Sequence, residues 1–269
     1  MQVDGVGIIS TCGRGVDLHR KALSDPLLLQ DGEQCICRVA PENLKDRAVL
    51  KNMRRADRFS RMAVLAAHDA LADAGIDCKD DGQDLGIIVT TAFGPHGTTF
   101  QFLDTVLDFG DALASPIKFA HSVHNAAASY IVTALGILGP VATLTKFETP
   151  LYEGFLLASA WLREGRCRYV LVGYVEECSE PLNDINTSMA RKGEKGSLQP
   201  FNLSPHSRPL FTEGSIFLAL STSSESLVSL KPEMFTGKDK IADLCTFFDR
   251  FRPVGRTTLN KDDVERNKR

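Results

Sequence analysis

Residues 139–158, GPVATLTKFETPLYEGFLLA, read as a short strand, a sharp turn and an apolar helix. Enzymes mount nucleophiles on such turns, because the helix N-terminus stabilises negative charge there. The turn is Phe147-Glu148-Thr149-Pro150, with no Cys, Ser or Lys. Glu148 at its tip has two readings. A carboxylate there complements the helix dipole by about 0.3–1 kcal/mol, with room for a polar contact across a subunit interface. It could also act as a general base. The dipole reading is carried forward, and the base reading stays open beside it.

Other chemistry-bearing residues are sparse. His121 and His124 frame Asn125 at the start of an Ala-rich stretch. As metal ligands they would stand three apart, but no carboxylate or Cys completes a set nearby, so they read as helix-start and interface residues. Gly94-Pro95-His96-Gly97 lacks the Gly-x-Gly-x-x-Gly or Gly-Lys-Ser/Thr context of a phosphate loop. Cys35 and Cys37 form the one close pair among seven Cys, and no second pair completes a zinc site. Glu213 and Arg208 are candidates for a structural polar contact. No metal and no cofactor is expected.

The elements that must position these residues follow from pattern. Residues 5–10 form a short apolar strand. Residues 16–51 are irregular, with short helices among loops. Asp57 opens the clearest helix. Phe59, Met62, Ala63, Ala66, Ala70 and Ala74 make one stripe, and Gly75 sits at the C-terminal cap position. Residues 85–89, LGIIV, read as a buried parallel strand. A Gly-rich loop and a helix follow to Gly110. Residues 123–138 read as helical, ending at Gly139-Pro140. Residues 169–175 and 215–221 are further strands, with a polar excursion over 178–209 between them. Alternating strands and helices imply an α/β sheet covered on both faces. Thr149 and Pro150 suit the N-cap and first position of the elbow helix. That helix is apolar almost all round, so a second surface must cover the side away from the sheet. Its source is either another part of this chain or a second chain.

Composition excludes several classes. The 269 residues are 43% hydrophobic and 24% charged, with net charge -3. That balance gives no basic surface excess for nucleic acid. No run reaches the roughly 18 apolar residues of a membrane span. The start, MQVDGVGIIS, lacks the pattern of a secretory signal. With an odd Cys count, this points to reduced thiols and a cytoplasmic setting.

Four landmarks carry a family resemblance. RRADRFSRMAVLAAHDALADAG (54–75), SVHNAAASYIVTALGILGP (122–140), the strand and elbow, and QPFNLSPHSRPLFTEGSIFLALS (199–221) occur in this order. Together they resemble the N-terminal half of a β-ketoacyl synthase. The resemblance implies an α/β fold: a thiolase-like half with a five-stranded mixed sheet flanked by helices. Residues 1–221 would form that domain, and 222–269 a linker, a short helix and a charged tail. The family's nucleophilic Cys falls on Glu148, its Pro before Asn125 is His124, and its first Gly of Gly-Glu-Gly is Thr212. The family's second half, which supplies two catalytic His, has no counterpart here. None of the six His (19, 68, 96, 121, 124 and 206) stands in the family's His contexts.

Condensation needs a thiolate to accept the acyl group. A carboxylate would give a labile anhydride and repel a malonyl carboxylate. The resemblance therefore implies a non-catalytic, chain-length-factor-type subunit of fatty-acid or polyketide (aryl-polyene-like) assembly. It implies a homo- or heterodimer with a ketosynthase, and an acyl carrier protein as a further partner. Residues 142–147 would pair across that dimer, and Phe147, Leu144, Thr149, His124 and Asn125 would line the interface or acyl pocket. The alternative is an acyl-thioester hydrolase or decarboxylase using Glu148 as base. A third reading is a self-associating scaffold.

Overall fold

Two glycines on the first strand decide how the longest helix sits. Strand β1 (Gln2–Ser10) carries Gly5 and Gly7 on one face. A Cβ added at Gly7 would lie 1.9 Å from the Ala66 carbonyl oxygen, and one at Gly5 2.3 Å from that of Ala70. The chain turns back through β2 (Gly13–Arg14) into α1 (Val16–Ser24), and the next long helix is α2 (Arg58–Ala74). The backbone of α2 thus rests directly on β1.

A computed structural model describes residues 1–24, 38–147, 150–182 and 213–222. Glu148, Thr149, Arg208, Cys35, Cys37, most of the polar excursion and nearly all of the 222–269 segment lie outside the described residues.

Helix α2 begins where the pattern placed it. The Asp57 side chain accepts from the Ser60 amide at 2.8 Å. Gly75 takes the left-handed conformation, φ 68, that ends the helix. The chain continues through α3 (Cys78–Asp81), β3 (Leu85–Thr91), α4 (His96–Phe109), α5 (Pro116–Ser122), α6 (Ala126–Leu135), β4 (Val141–Thr145), α7 (Pro150–Arg163), β5 (Tyr169–Glu176) and β6 (Gly214–Ser221). The Ala-rich stretch is shorter than the 123–138 expected. Gly136, φ 72, ends α6 three residues before Gly139, and residues 123–125 form the turn between α5 and α6.

The sheet order is β2-β1-β6-β5-β3-β4. Strands β3, β4 and β5 run parallel, and β1, β2 and β6 pair antiparallel. The sheet therefore has six strands, not the five expected. The sixth is β2, whose two residues pair Ile9 with Arg14 and Ser10 with Gly13. Two residues are too few to leave a period in the sequence; the turn is instead marked by Gly13 and Gly15, at φ 124 and 106.

Helices α2 and α6 cover one face with Phe59, Met62, Leu65 and Ile131 against Ile87, Val89, Leu171 and Phe217. Helix α7 covers the other with Phe155, Ala158, Trp161 and Leu162 against Ile88, Val170, Val172 and Leu218. All seven residues of β3 are buried. Helix α7 is covered on that side alone among the described residues: Leu156, facing away from it, is 39% exposed. Strand β4 ends the sheet, and no described strand pairs its outer edge. Among the described residues no helix is long and apolar enough to cross a membrane.

The β1–α2 contact makes a sharp test. Gly7→Ala drives a methyl into the helix backbone, which cannot yield as a side-chain tip can. Urea denaturation is expected to show a loss of about 3 kcal/mol or more. A loss below about 0.5 kcal/mol contradicts the close approach.

Candidate functional site

The carboxyl ends of β3, β4 and β5 point the same way, and the candidate residues collect there. Beyond β4, the Lys146 amide still donates to the Thr91 carbonyl at 3.1 Å. This holds the start of the elbow beside β3. Phe147 follows, 70% exposed. Its ring meets Phe93 edge-on, centroids 5.4 Å apart, and Phe93 meets His96 at 6.2 Å. Lys146 pairs with Glu153 in the first turn of α7, bridging the elbow. Leu144 is half-buried against the α7 side of the sheet.

His124 and Asn125 stand exposed at the start of α6. The His124 ring lies on Gly94, where an added Cβ would be 2.5 Å from Cδ2. Gly94 has φ 66, so glycine is required there on both counts. Asn125 occupies the N-cap position of α6 without a side-chain cap. His121 instead faces Tyr130, Nε2 to hydroxyl 2.7 Å. Among the described residues no group of three His, Cys, Asp or Glu could hold a metal ion. Phe147, Leu144 and His124 thus share one end of the sheet, with Asn125 beside His124.

The 91–97 loop is fastened from β5 by two carboxylates that the sequence reading missed. Glu176 and Glu177 are each 7% exposed. Glu176 Oε1 accepts from the Thr91 hydroxyl at 2.9 Å and from the Ala92 amide. Its Oε2 accepts from the Phe93 amide at 3.3 Å. Glu177 accepts from the Gly97 amide at 2.6 Å, and the Gly94 amide donates to Thr91 Oγ1 at 2.9 Å. The loop, which lacks the sequence context of a phosphate cradle, spends these amides on the chain's own oxygens. Two adjacent carboxylates at the end of a wholly apolar strand were the available signal.

Burial raises both carboxyl groups to about 7, against the pull of these donors. Burial pushes the Tyr174 hydroxyl, which bonds Glu176, upward and the His96 imidazole downward. Glu213, 1% exposed, pairs with Arg58 and accepts from the Val39 and Cys178 amides. Its described cation is Arg58; the expected contact with Arg208 lies outside the described residues. The site offers an apolar wall backed by buried, satisfied carboxylates. At the elbow the described side chains are Lys146, paired with Glu153, and Phe147.

Residues 38–202 match the family described as β-ketoacyl synthase, N-terminal domain. A Streptomyces halstedii protein described as a polyketide β-ketoacyl synthase is 28% identical over 203 residues, 67% of this chain and 47% of its own. Nodulation protein E of Rhizobium meliloti is 28% identical over 51% of this chain and 33% of its own. The 3-oxoacyl-[acyl-carrier-protein] synthase 2 of Staphylococcus aureus is 30% identical over 55% and 38%. The chain spans half or less of the length of these curated relatives. Among solved structures, a β-ketoacyl synthase from Burkholderia phymatum superposes with TM-score 0.63 at 19% identity, over 82% of this chain and 59% of that one. A ketosynthase in complex with its chain length factor from Xenorhabdus doucetiae gives TM-score 0.55 at 15% identity, over 84% and 81%. Both likenesses are of fold, and both agree with a thiolase-like half.

The buried carboxylates predict an unusual pH response. Each is raised from 4.5 to about 7 in the fold. The native state then holds more protons than the unfolded chain between those values, so their contribution is full below pH 4.5 and is lost as pH rises to 7. Wild type should lose stability relative to Glu177→Gln between pH 5 and pH 8, by up to about 3 kcal/mol. The comparison cancels His96 and His19, whose lowered values act in the opposite sense. Urea melts at four pH values measure it, and a flat difference refutes it.

Proposed function

Since the chain belongs to the β-ketoacyl synthase family through its N-terminal domain, we propose that it is a non-catalytic subunit of the chain-length-factor type. It pairs with an active β-ketoacyl synthase in fatty-acid or polyketide assembly and shapes the partner's acyl pocket. One observation carries this reading. The position between β4 and α7 where the resemblance puts the nucleophilic Cys holds Glu148, and the residue before it is an exposed Phe packed on Phe93. Acyl transfer needs a thiolate there, and a carboxylate cannot hold a stable acyl group. An apolar wall is still useful at the same place, because it limits how far an acyl chain extends.

Open surfaces support a partner subunit. The outer edge of β4 is unpaired among the described residues. The α4–α5 region exposes Leu107 at 82%, with Phe109, Leu113, Ile117 and Phe119 around it. Monomers rarely leave so much apolar surface together. A carrier protein fits a second place. Lys51, Arg54 and Arg55 line an open cavity of about 550 Å³ with Asn52 and Tyr130, and this cluster suits an acidic partner.

Co-expression with a full-length synthase from the same genome tests the pairing. The two should co-elute as a heterodimer, and Phe147→Ala should lengthen the product. Separate elution with unchanged product length defeats the reading. Glu148→Ala separates it from thioester hydrolysis or decarboxylation by Glu148. A subunit without chemistry keeps its yield within about twofold, whereas loss of a general base costs about 100-fold or more. Arg54→Glu with Arg55→Glu should weaken binding of an acyl carrier protein about tenfold, an effect that shrinks at high salt. Calorimetry at two ionic strengths checks this, and unchanged affinity removes the cationic cluster from the docking surface.

A further inference from the structure

Phe147 stands two residues past the end of β4. Its ring is steadied by Phe93, which lies on an irregular loop between β3 and α4. That loop is fixed from behind. Glu176 gathers the Thr91 hydroxyl and the Ala92 and Phe93 amides, and Glu177 holds the Gly97 amide at the far end. His124 covers Gly94 between them.

We propose that Glu176 is a positioning residue for the elbow wall: its buried carboxylate gathers the amides behind Phe93 and so sets where Phe93 holds Phe147. This rests on the reading that Phe147 lines an acyl pocket. The carboxylate acts through three donors on one short segment. Charge-assisted acceptors bind amides about twice as strongly as neutral ones. Ionised, Glu176 offers both oxygens to the segment; protonated, it gives up one oxygen as an acceptor and its bonds to the segment change. The groups facing it are Tyr174 on β5 and Thr91 on β3. Around Glu177 stand Asp57, Glu213 and Arg38, with Arg58 occupied by Glu213. Burial pushes the imidazole of His96, packed on Phe93, downward. The hold on Phe93 therefore changes as Glu176 titrates.

The full chain carrying 4-fluorophenylalanine at position 147 tests this by fluorine NMR from pH 5.5 to 8.5. The wild-type signal should titrate with a midpoint near 7, the value to which burial raises Glu176. Glu176→Gln should abolish the midpoint, and Glu177→Gln should retain it. Phe93→Ala should abolish it too, with no further change when combined with Glu176→Gln. Exchange of the 92 and 93 amides should rise about tenfold or more in Glu176→Ala. Product length from a paired synthase should move in the same direction for Phe93→Ala and Glu176→Ala. A wild-type signal without a midpoint, or one that survives Glu176→Gln, overturns the proposal. If Glu176→Ala fails to fold, Glu176→Gln and Phe93→Ala still decide it. Failure to pair with a synthase sinks the pocket reading but leaves the NMR result standing, so the two failures are distinguishable.

Discussion

A parallel strand buried on both faces is the constraint from which the rest follows. Every residue of β3 is inaccessible, so helices must lie on both sides of the sheet. Helix α2 can do so only because Gly5 and Gly7 let its backbone reach β1. Helix α7 reaches β3 and β5 from the other side by a similar device, with Gly154 set against the Thr90 and Val172 side chains. With both faces closed, the carboxyl ends of β3, β4 and β5 are where the chain must leave the sheet, turn and reverse. In α/β sheets that end is where sites form. Here the Phe93 loop, the elbow and the Glu176-Glu177 pair meet there, because each follows one of three adjacent parallel strands.

The electrostatics of that end are unusual. Glu176, Glu177 and Glu213 are all buried, and among the described side chains Arg58 is the cation that pairs with one of them. A buried carboxylate without compensation costs several kcal/mol, so such groups are paired, hydrogen-bonded or neutralised. Glu213 is paired. The other two take backbone amides and sit near 7. Their donors hold a loop that has no ladder of its own, so the cost of burying them is offset by fixing that loop. Surface pairs such as Lys146–Glu153 contribute about 0–1 kcal/mol at most. They guide the elbow but do not define it.

The sequence disclosed what repeats and hid what does not. The α2 stripe, its Asp57 cap and its Gly75 stop were legible, because each has a periodic or conformational signature. The apolar runs of β3, β5 and β6 were legible for the same reason. The hairpin strand β2 was not, since two residues carry no period. The end of α6 was misplaced because Gly136 and Gly139 are both plausible stops, and only the left-handed φ at Gly136 decides. At the site, Phe147, Leu144 and His124 could be proposed only because the family resemblance carried by the elbow and the Ala-rich helix implied them. Phe93 and Glu176 could not, because their roles depend on β3 and β5 being neighbours, and these strands are separated by α4, α5, α6, β4 and α7. Long-range adjacency leaves no local trace.

The elbow joins these strands of argument. Its strand side is tied to β3 through Lys146 and Thr91, and its helix side is tied back by Glu153. Between them Phe147 projects an aromatic ring into solvent at the one end of the sheet where the described chain offers it an aromatic neighbour but no cover. Apolar surface costs about 25 cal/mol per Å² while it stays wet, and a fold that needed only to end a strand could place a polar residue there. The same holds for Leu156 on the outer face of α7 and for the unpaired edge of β4. All three lie on elements bordering the elbow, so one covering body could satisfy them together. A nucleophile needs that position to stay reachable by substrate; a wall needs it to be covered and filled. On the proposed reading the partner subunit is that cover, and Phe147 is the wall it closes on.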